Sequence, residues 1–224
     1  MPKQPLIAAS LICSNPLDLN CDINELIIGK SDYIHFDVMD GLFVPRYGLY
    51  PEILTYLKRI TDIPVDVHMM VSNPEDYIED FKNAGATYYN FHVEATNHAH
   101  RIVKKIEKAG MLPGVALNPA TSLSTLDYLI EDIKMVVLMA INPGIVGHKL
   151  IPNMLEKISD LRKLAELKGN KELLIQIDGG VTFETGESMI KAGADILVCG
   201  TGTIFRPQED TISNKINEFR KIFK

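Results

Sequence analysis

The chain has 224 residues, 46% hydrophobic and 23% charged, with a formal net charge of −6. That composition belongs to an ordinary globular protein, and the acidic balance excludes the broad basic surface of a nucleic-acid binder. No run of eighteen apolar residues could span a membrane, the opening Met1-Pro2-Lys3-Gln4-Pro5 lacks a signal-peptide layout, and Cys13, Cys21 and Cys199 are too few to form a disulfide scaffold. A cytoplasmic protein is expected, with one domain over 1–224.

Short apolar, β-branched runs recur along the chain at Leu6 to Ser10, Tyr33 to Asp37, Val65 to Met70 and Tyr88 to His92. They continue at Pro113 to Leu117, Met135 to Met139, Leu174 to Asp178 and Ile196 to Cys199. Runs of this length and composition predict strands. Helix signals lie between them. Asn73-Pro74-Glu75-Asp76 reads as an N-cap, a first-position proline and two first-turn acids, with Tyr77, Ile78 and Phe81 following at helical spacing. Helices are predicted also over His98 to Ala109, Ile151 to Lys168 and Asp210 to Phe223. Gly85, Gly110 and Gly193 each stand where a helix should stop and a strand begin. Strict alternation of strand and helix implies parallel strands joined by right-handed crossovers. Eight such units in this length fit a compact (β/α)8 barrel, with an open doubly wound sheet as the alternative.

In a barrel the chemistry sits at the carboxyl ends of the strands. Those ends carry Ser10, His35-Phe36-Asp37, His68, His92-Val93-Glu94, Asn118, Asn142 and Asp178. Strand alternation turns His35 and Asp37 to one face. With His68 and Asp178 they form a candidate divalent-metal set whose N and O ligands suit Zn, Fe, Co or Mn. Each histidine taken singly reads more readily as a core or surface residue than as a ligand; the barrel supplies the convergence. Asp178-Gly179-Gly180 and Gly200-Thr201-Gly202 follow the seventh and eighth strands, where barrels build phosphate cradles from bare backbone N–H groups. Asn142-Pro143-Gly144-Ile145-Val146-Gly147 could add a wall.

On these residues the sequence resembles the ribulose-phosphate 3-epimerase family from Ser10-Leu11 to Ile204-Phe205. The resemblance is carried by His35-Phe36-Asp37-Val38-Met39-Asp40-Gly41 with Phe43-Val44-Pro45, by His68-Met69-Met70-Val71, and by Leu117-Asn118-Pro119-Ala120-Thr121. Gln176-Ile177-Asp178-Gly179-Gly180-Val181 and Ala192-Gly193-Ala194-Asp195 complete it. It implies a (β/α)8 barrel and a C3 epimerase that interconverts D-ribulose 5-phosphate and D-xylulose 5-phosphate. Asp37 and Asp178 would be the acid/base pair, on opposite faces of the sugar with the barrel's width between them. His35, Asp37, His68 and Asp178 would hold one divalent metal, which stabilises the enediolate. Ser10 and His68 would touch the sugar, while Met39, Met70 and Met139 would cover the reacting carbon. Gly144, Gly147, Gly179, Gly180, Gly200 and Thr201 would face the phosphate. The partner implied is a small sugar phosphate, and a homo-oligomer is expected.

Departures from the family pattern fall elsewhere. Arg46-Tyr47-Gly48 follows Val44-Pro45 where the family continues with Asn, Ile145-Val146-Gly147-His148 loses a glycine, and His92-Val93-Glu94 replaces H-P-E. Ser10-Leu11-Ile12-Cys13 and Gly200-Thr201 lean toward the allulose 6-phosphate 3-epimerase branch. Two other readings compete: a lyase of a related phosphate-binding barrel, and a non-catalytic phosphosugar-binding protein. The lyases carry D-x-K-x-x-D, whereas Asp37-Val38-Met39-Asp40 has no lysine. A binding protein would be expected to lose a ligand that this chain keeps.

Overall fold

The computed structural model describes residues 4–144, 149–206 and 210–223. Eight parallel strands close into a barrel in chain order. They are β1 (Leu6–Ser10), β2 (Tyr33–Met39), β3 (Val65–Met70), β4 (Tyr88–His92), β5 (Leu112–Leu117), β6 (Met135–Met139), β7 (Leu174–Asp178) and β8 (Ile196–Cys199). The outer helices are α1 (Leu19–Ile28), α2 (Pro51–Leu57), α3 (Ile78–Ala84), α4 (Ala99–Ala109), α5 (Met154–Leu167), α6 (Gly186–Ala192) and α7 (Ile212–Lys221). Closure settles the architecture as the (β/α)8 barrel and excludes the open sheet.

Two layers of apolar packing hold this arrangement. Outward-facing strand residues such as Phe36, Val67, Phe91 and Ile177 pack against Leu26, Phe81, Ile106 and Leu161 of the helices, all buried. Inward-facing Ala8, Ala116, Met135, Val137, Ile196 and Val198 form a smaller interior cluster. Burial of a large aliphatic or aromatic side chain contributes roughly 1.5–3 kcal/mol, so the outer layer dominates. Gly85, Gly110 and Gly193 end α3, α4 and α6 at φ of 98°, 86° and 117°, a left-handed cap that a Cβ would strain.

Three local expectations are corrected. The Asn73 side chain makes no cap hydrogen bond, and Pro74–Tyr77 is a 3-10 turn ahead of α3. Asp76 N–H bonds back to the Asn73 carbonyl, and the Tyr89 hydroxyl takes the Pro74 carbonyl, so the α-helical register starts only at Ile78. The helix expected from Ile151 begins at Met154, because Ile151 N–H is tied to the Ala140 carbonyl at the end of β6. Among the described residues the crossover from β5 to β6 holds a 3-10 turn, Leu123–Leu126, and no α-helix. There Ser122 accepts Ser124 N–H and Thr125 bonds the Ser122 carbonyl, local contacts that compete with helix formation.

Candidate active site at the barrel mouth

Parallel pairing of β2 with β3 sets the geometry of the mouth. His35 stands beside Asp66, Asp37 beside His68, and Met39 beside Met70. Alternation then turns His35, Asp37, Asp66 and His68 inward together. Across the barrel Asp178 ends β7 opposite Met139 of β6.

His35, Asp37, His68 and Asp178 each offer one ligand atom, and these four atoms lie within 4.8 Å of one another. Five of the six edges of the cluster measure 3.3–3.8 Å. His35 Nε2 lies 3.3 Å from His68 Nδ1, 3.4 Å from Asp37 Oδ1 and 3.8 Å from Asp178 Oδ2. His68 Nδ1 lies 3.5 Å from the same oxygen of each aspartate. Ligands held about 2.0–2.2 Å from one ion at tetrahedral corners would stand about 3.4 Å apart, so the set fits a divalent cation. The electrostatics agree: no lysine or arginine pairs with Asp37, Asp66 or Asp178 among the described residues, leaving three buried or nearly buried carboxylates beside imidazoles. Burial opposes a charge on His35, but Asp66 and Asp37 outweigh it and hold its pKa well above the usual imidazole value.

The two aspartates are not separated by the barrel's width. They converge on one cluster, because both side chains lean inward from strands that flank the β1–β8 pair. Their chemistry differs instead. Burial alone would raise both pKa values; for Asp37 the neighbouring His35 and His68 prevail and hold it far below the usual range. Asp178 is raised by burial and by the Asp37 charge, against the pull of His35 and His68. Ser10 donates its hydroxyl to Asp37 Oδ2 at 2.9 Å, leaving Oδ1 for the cluster.

Above the cluster opens a cavity of about 700 Å³. Ser10, Asp37, Asp178, Met39, Met70 and Met139 line it, as do Gly144, Gly179, Gly180, Gly200 and Thr201. Gly147 lies outside the described residues. His68 does not line the cavity: it is fully buried, with Nδ1 in the cluster and Nε2 on His92. Gly179 and Gly180 have φ of 91° and 66°, and a Cβ would come within 2.3 Å of Ile141 or 2.9 Å of the Leu150 backbone. Asn142 turns to a separate groove beside α5.

Several lining or supporting residues escaped the sequence reading. Cys13 and Lys149 line the cavity, and so does Arg46, noted only as a departure. Asp66 accepts hydrogen bonds at Oδ2 from His35 Nδ1 (2.7 Å) and Gln176 Nε2 (2.6 Å). It holds a proton of His35 on Nδ1, so that Nε2 faces the cluster and offers its lone pair whenever the ring is neutral. The alternation in Val65-Asp66-Val67-His68 already places Asp66 on the face of His68, which was the available signal.

Fold and site together define a (β/α)8-barrel enzyme with an acid-and-histidine centre beside glycine-rich loops. The ribulose-phosphate 3 epimerase family model matches residues 6–205, and the chain belongs to that family of isomerases. It is 40% identical to ribulose-phosphate 3-epimerase of Bacillus subtilis, over 87% of this chain and 90% of that one. Against the Escherichia coli ribulose-phosphate 3-epimerase it is 33% identical over 98% of each chain. Solved structures sharing only the fold include KGPDC of Streptococcus mutans (TM-score 0.74, 16% identity, 99% of each chain). Orotidine 5'-phosphate decarboxylase of Pyrococcus horikoshii is another (TM-score 0.68, 15% identity, 97% of this chain and 98% of that one).

Proposed function

We propose that this protein inverts C3 of D-ribulose 5-phosphate, giving D-xylulose 5-phosphate, by proton transfer between two carboxylates and the substrate. One observation carries the reading: two aspartates with opposed proton affinities converge with two histidines on a metal-sized cluster at the floor of a glycine-rimmed cavity. His35, Asp37, His68 and Asp178 would hold the ion, and Zn, Fe, Co and Mn all suit this donor set. When bound, the cation supplies electrostatic stabilisation for negative charge on the sugar oxygens.

The remaining work falls to the chain. A ketose has an acidic C–H at C3, beside the C2 carbonyl, and inversion needs a base on one face and an acid on the other. Asp37, held ionised by the imidazoles, takes the proton from one epimer. Asp178, which keeps its proton more readily, delivers one to the opposite face; in reverse the roles exchange. Ser10 orients Asp37 through its hydrogen bond. Met39, Met70 and Met139 present thioethers that exclude water without offering competing donors. Backbone N–H groups after β7 and β8 receive the phosphate.

The test is kinetic. Ribulose 5-phosphate and allulose 6-phosphate are compared side by side at known metal content, following optical rotation and C3 deuterium exchange. The pentulose phosphate is expected to show the higher kcat/KM. A preference for allulose 6-phosphate would assign the chain to the hexulose branch. Absence of exchange with both would leave a binding protein.

A further inference from the structure

The motif His92-Val93-Glu94 at the end of β4 takes no part in the metal set or in proton transfer as proposed above. Its side chains nevertheless form an ordered line behind His68. His92 is fully buried, and its Nε2 lies 2.9 Å from Nε2 of His68. On its other side, Nδ1 lies 3.1 Å from Glu94 Oε2. The second oxygen of that carboxylate, Oε1, accepts Asn118 N–H at 2.7 Å and the Thr121 hydroxyl.

Donor counting fixes every proton along this line. Two ring nitrogens at hydrogen-bond distance need one donor and one acceptor. If His68 offers the lone pair of Nδ1 to a metal, its ring proton sits on Nε2, and that N–H donates to His92. The acceptor Nε2 of His92 therefore carries no proton, so His92 is neutral with its proton on Nδ1. A carboxylate, which only accepts, is the partner that Nδ1–H requires. Two donors of the loop after β5 hold that carboxylate in place, and Lys157 in turn holds the loop through the carbonyls of Asn118, Pro119 and Thr121 at 2.7–3.0 Å.

We propose that His92 and Glu94 are positioning residues: a relay from Glu94 through His92 holds His68 in the Nε2–H tautomer, so that Nδ1 faces the cluster as a metal ligand. The proposal rests on the metal reading above. It gives His68 an indirect counterpart to the carboxylate that His35 receives directly from Asp66, and both ligand histidines are then oriented by an acid outside the cluster.

Glu94→Gln reverses the relay with little change of shape. Glutamine has one carbonyl oxygen, which Asn118 N–H and the Thr121 hydroxyl claim, so its NH2 turns toward Nδ1 of His92. His92 must then accept there and carry its proton on Nε2, which drives the proton of His68 onto Nδ1, against the metal.

The experiment uses the full chain, stripped of metal and titrated with Zn²⁺ or Co²⁺ against a chromophoric chelator. Imidazole ¹⁵N shifts are recorded on the Zn²⁺-loaded wild type, which needs no variant to fold. His92 is expected as the Nδ1–H tautomer and His68 as Nε2–H. Glu94→Gln and His92→Phe are each expected to lose about 10–100-fold in metal affinity. A His92 proton found on Nε2, or Glu94→Gln binding Zn²⁺ within threefold of a metal-binding wild type, overturns the relay and leaves the metal site standing. A wild type that binds neither ion overturns both.

Discussion

Asp37 and Asp178 reach the same cluster from β2 and β7, yet their carboxyls are pushed in opposite directions. Burial acts on both alike. The difference arises because His35 and His68 lower Asp37 more than burial raises it, whereas Asp178 lies next to the charge that Asp37 carries. A carboxyl that gives up its proton easily beside one that holds it more readily suits the base-and-acid pair proposed for C3 inversion.

Asn at either position keeps the size and removes the proton carrier. Asp37→Asn and Asp178→Asn are each expected to lose epimerisation by at least about 10²-fold. Each also gives up an anionic ligand, so metal content is measured alongside. With metal present, one variant should still exchange the C3 proton of a single epimer with deuterated solvent, followed by proton NMR. Asp178→Asn that epimerises at the wild-type rate would end the two-carboxylate assignment.

Metal removal addresses the cluster itself. Chelation is expected to abolish turnover, and adding back Zn²⁺, Fe²⁺, Co²⁺ or Mn²⁺ to restore it to different extents. His35→Ala should weaken binding by at least about tenfold, since it deletes a nitrogen ligand and leaves the buried Asp66 carboxylate with Gln176 as its remaining side-chain donor. Full turnover in protein shown to be free of metal by elemental analysis would remove the ion from the reaction.

Much of this site was legible in the sequence for geometric reasons. The period of two in His35-Phe36-Asp37 puts both candidate ligands on one face of any strand, and polar residues ending apolar strands locate the mouth once the barrel is inferred. What escaped depends on distances of 3–4 Å that register alone sets. That the two carboxyls are pushed in opposite directions follows from the balance of burial and neighbouring charges within 3–4 Å of each. That His92 sits behind His68 and outside the cluster follows from the stagger between β3 and β4, where His68 pairs with Asn90. The crossover after β5 departs from the strand–helix alternation for another reason: Ser122 and Thr125 satisfy backbone groups locally, and hydrophobic periodicity does not record that competition.

The phosphate cradle is best tested at Gly200. A Cβ at Gly180 would meet the Leu150 backbone at 2.9 Å in a left-handed conformation, so a substitution there mixes binding with folding. Gly200 has no positive φ, and among the described residues a Cβ would meet only Cys13 Sγ, at 3.2 Å. Gly200→Ala should therefore fold with a nearly unchanged thermal midpoint, while the methyl group crowds the cavity wall. KM for the phosphosugar is expected to rise about tenfold, a loss of about 1.4 kcal/mol. An unchanged KM would place the phosphate elsewhere along the rim.

Asp40 ties the loop after β2 to the loop after β3, and its ionisation should be visible in stability. Its Oδ1 accepts Leu42 and Phe43 N–H, and Oδ2 accepts Ser72 N–H, each at 2.8 Å. Partial burial opposes the charge, but these donors outweigh it and lower the pKa below the ordinary aspartate value. A depressed folded-state pKa means that the contribution is fully present above the unfolded value, about 3.9, and fades as pH falls through the lower folded value. Asp40→Asn can still accept at one oxygen but turns an NH2 toward Ser72 N–H. It should cost about 1.5 kcal/mol at pH 7, the scale of one hydrogen bond to a charged group. Urea unfolding from pH 7 down to pH 2 is expected to show the gap between wild type and Asp40→Asn closing below about pH 4. A gap that stays constant through that range would mean that the loops are held by packing around Phe43 and Val44, not by the carboxylate.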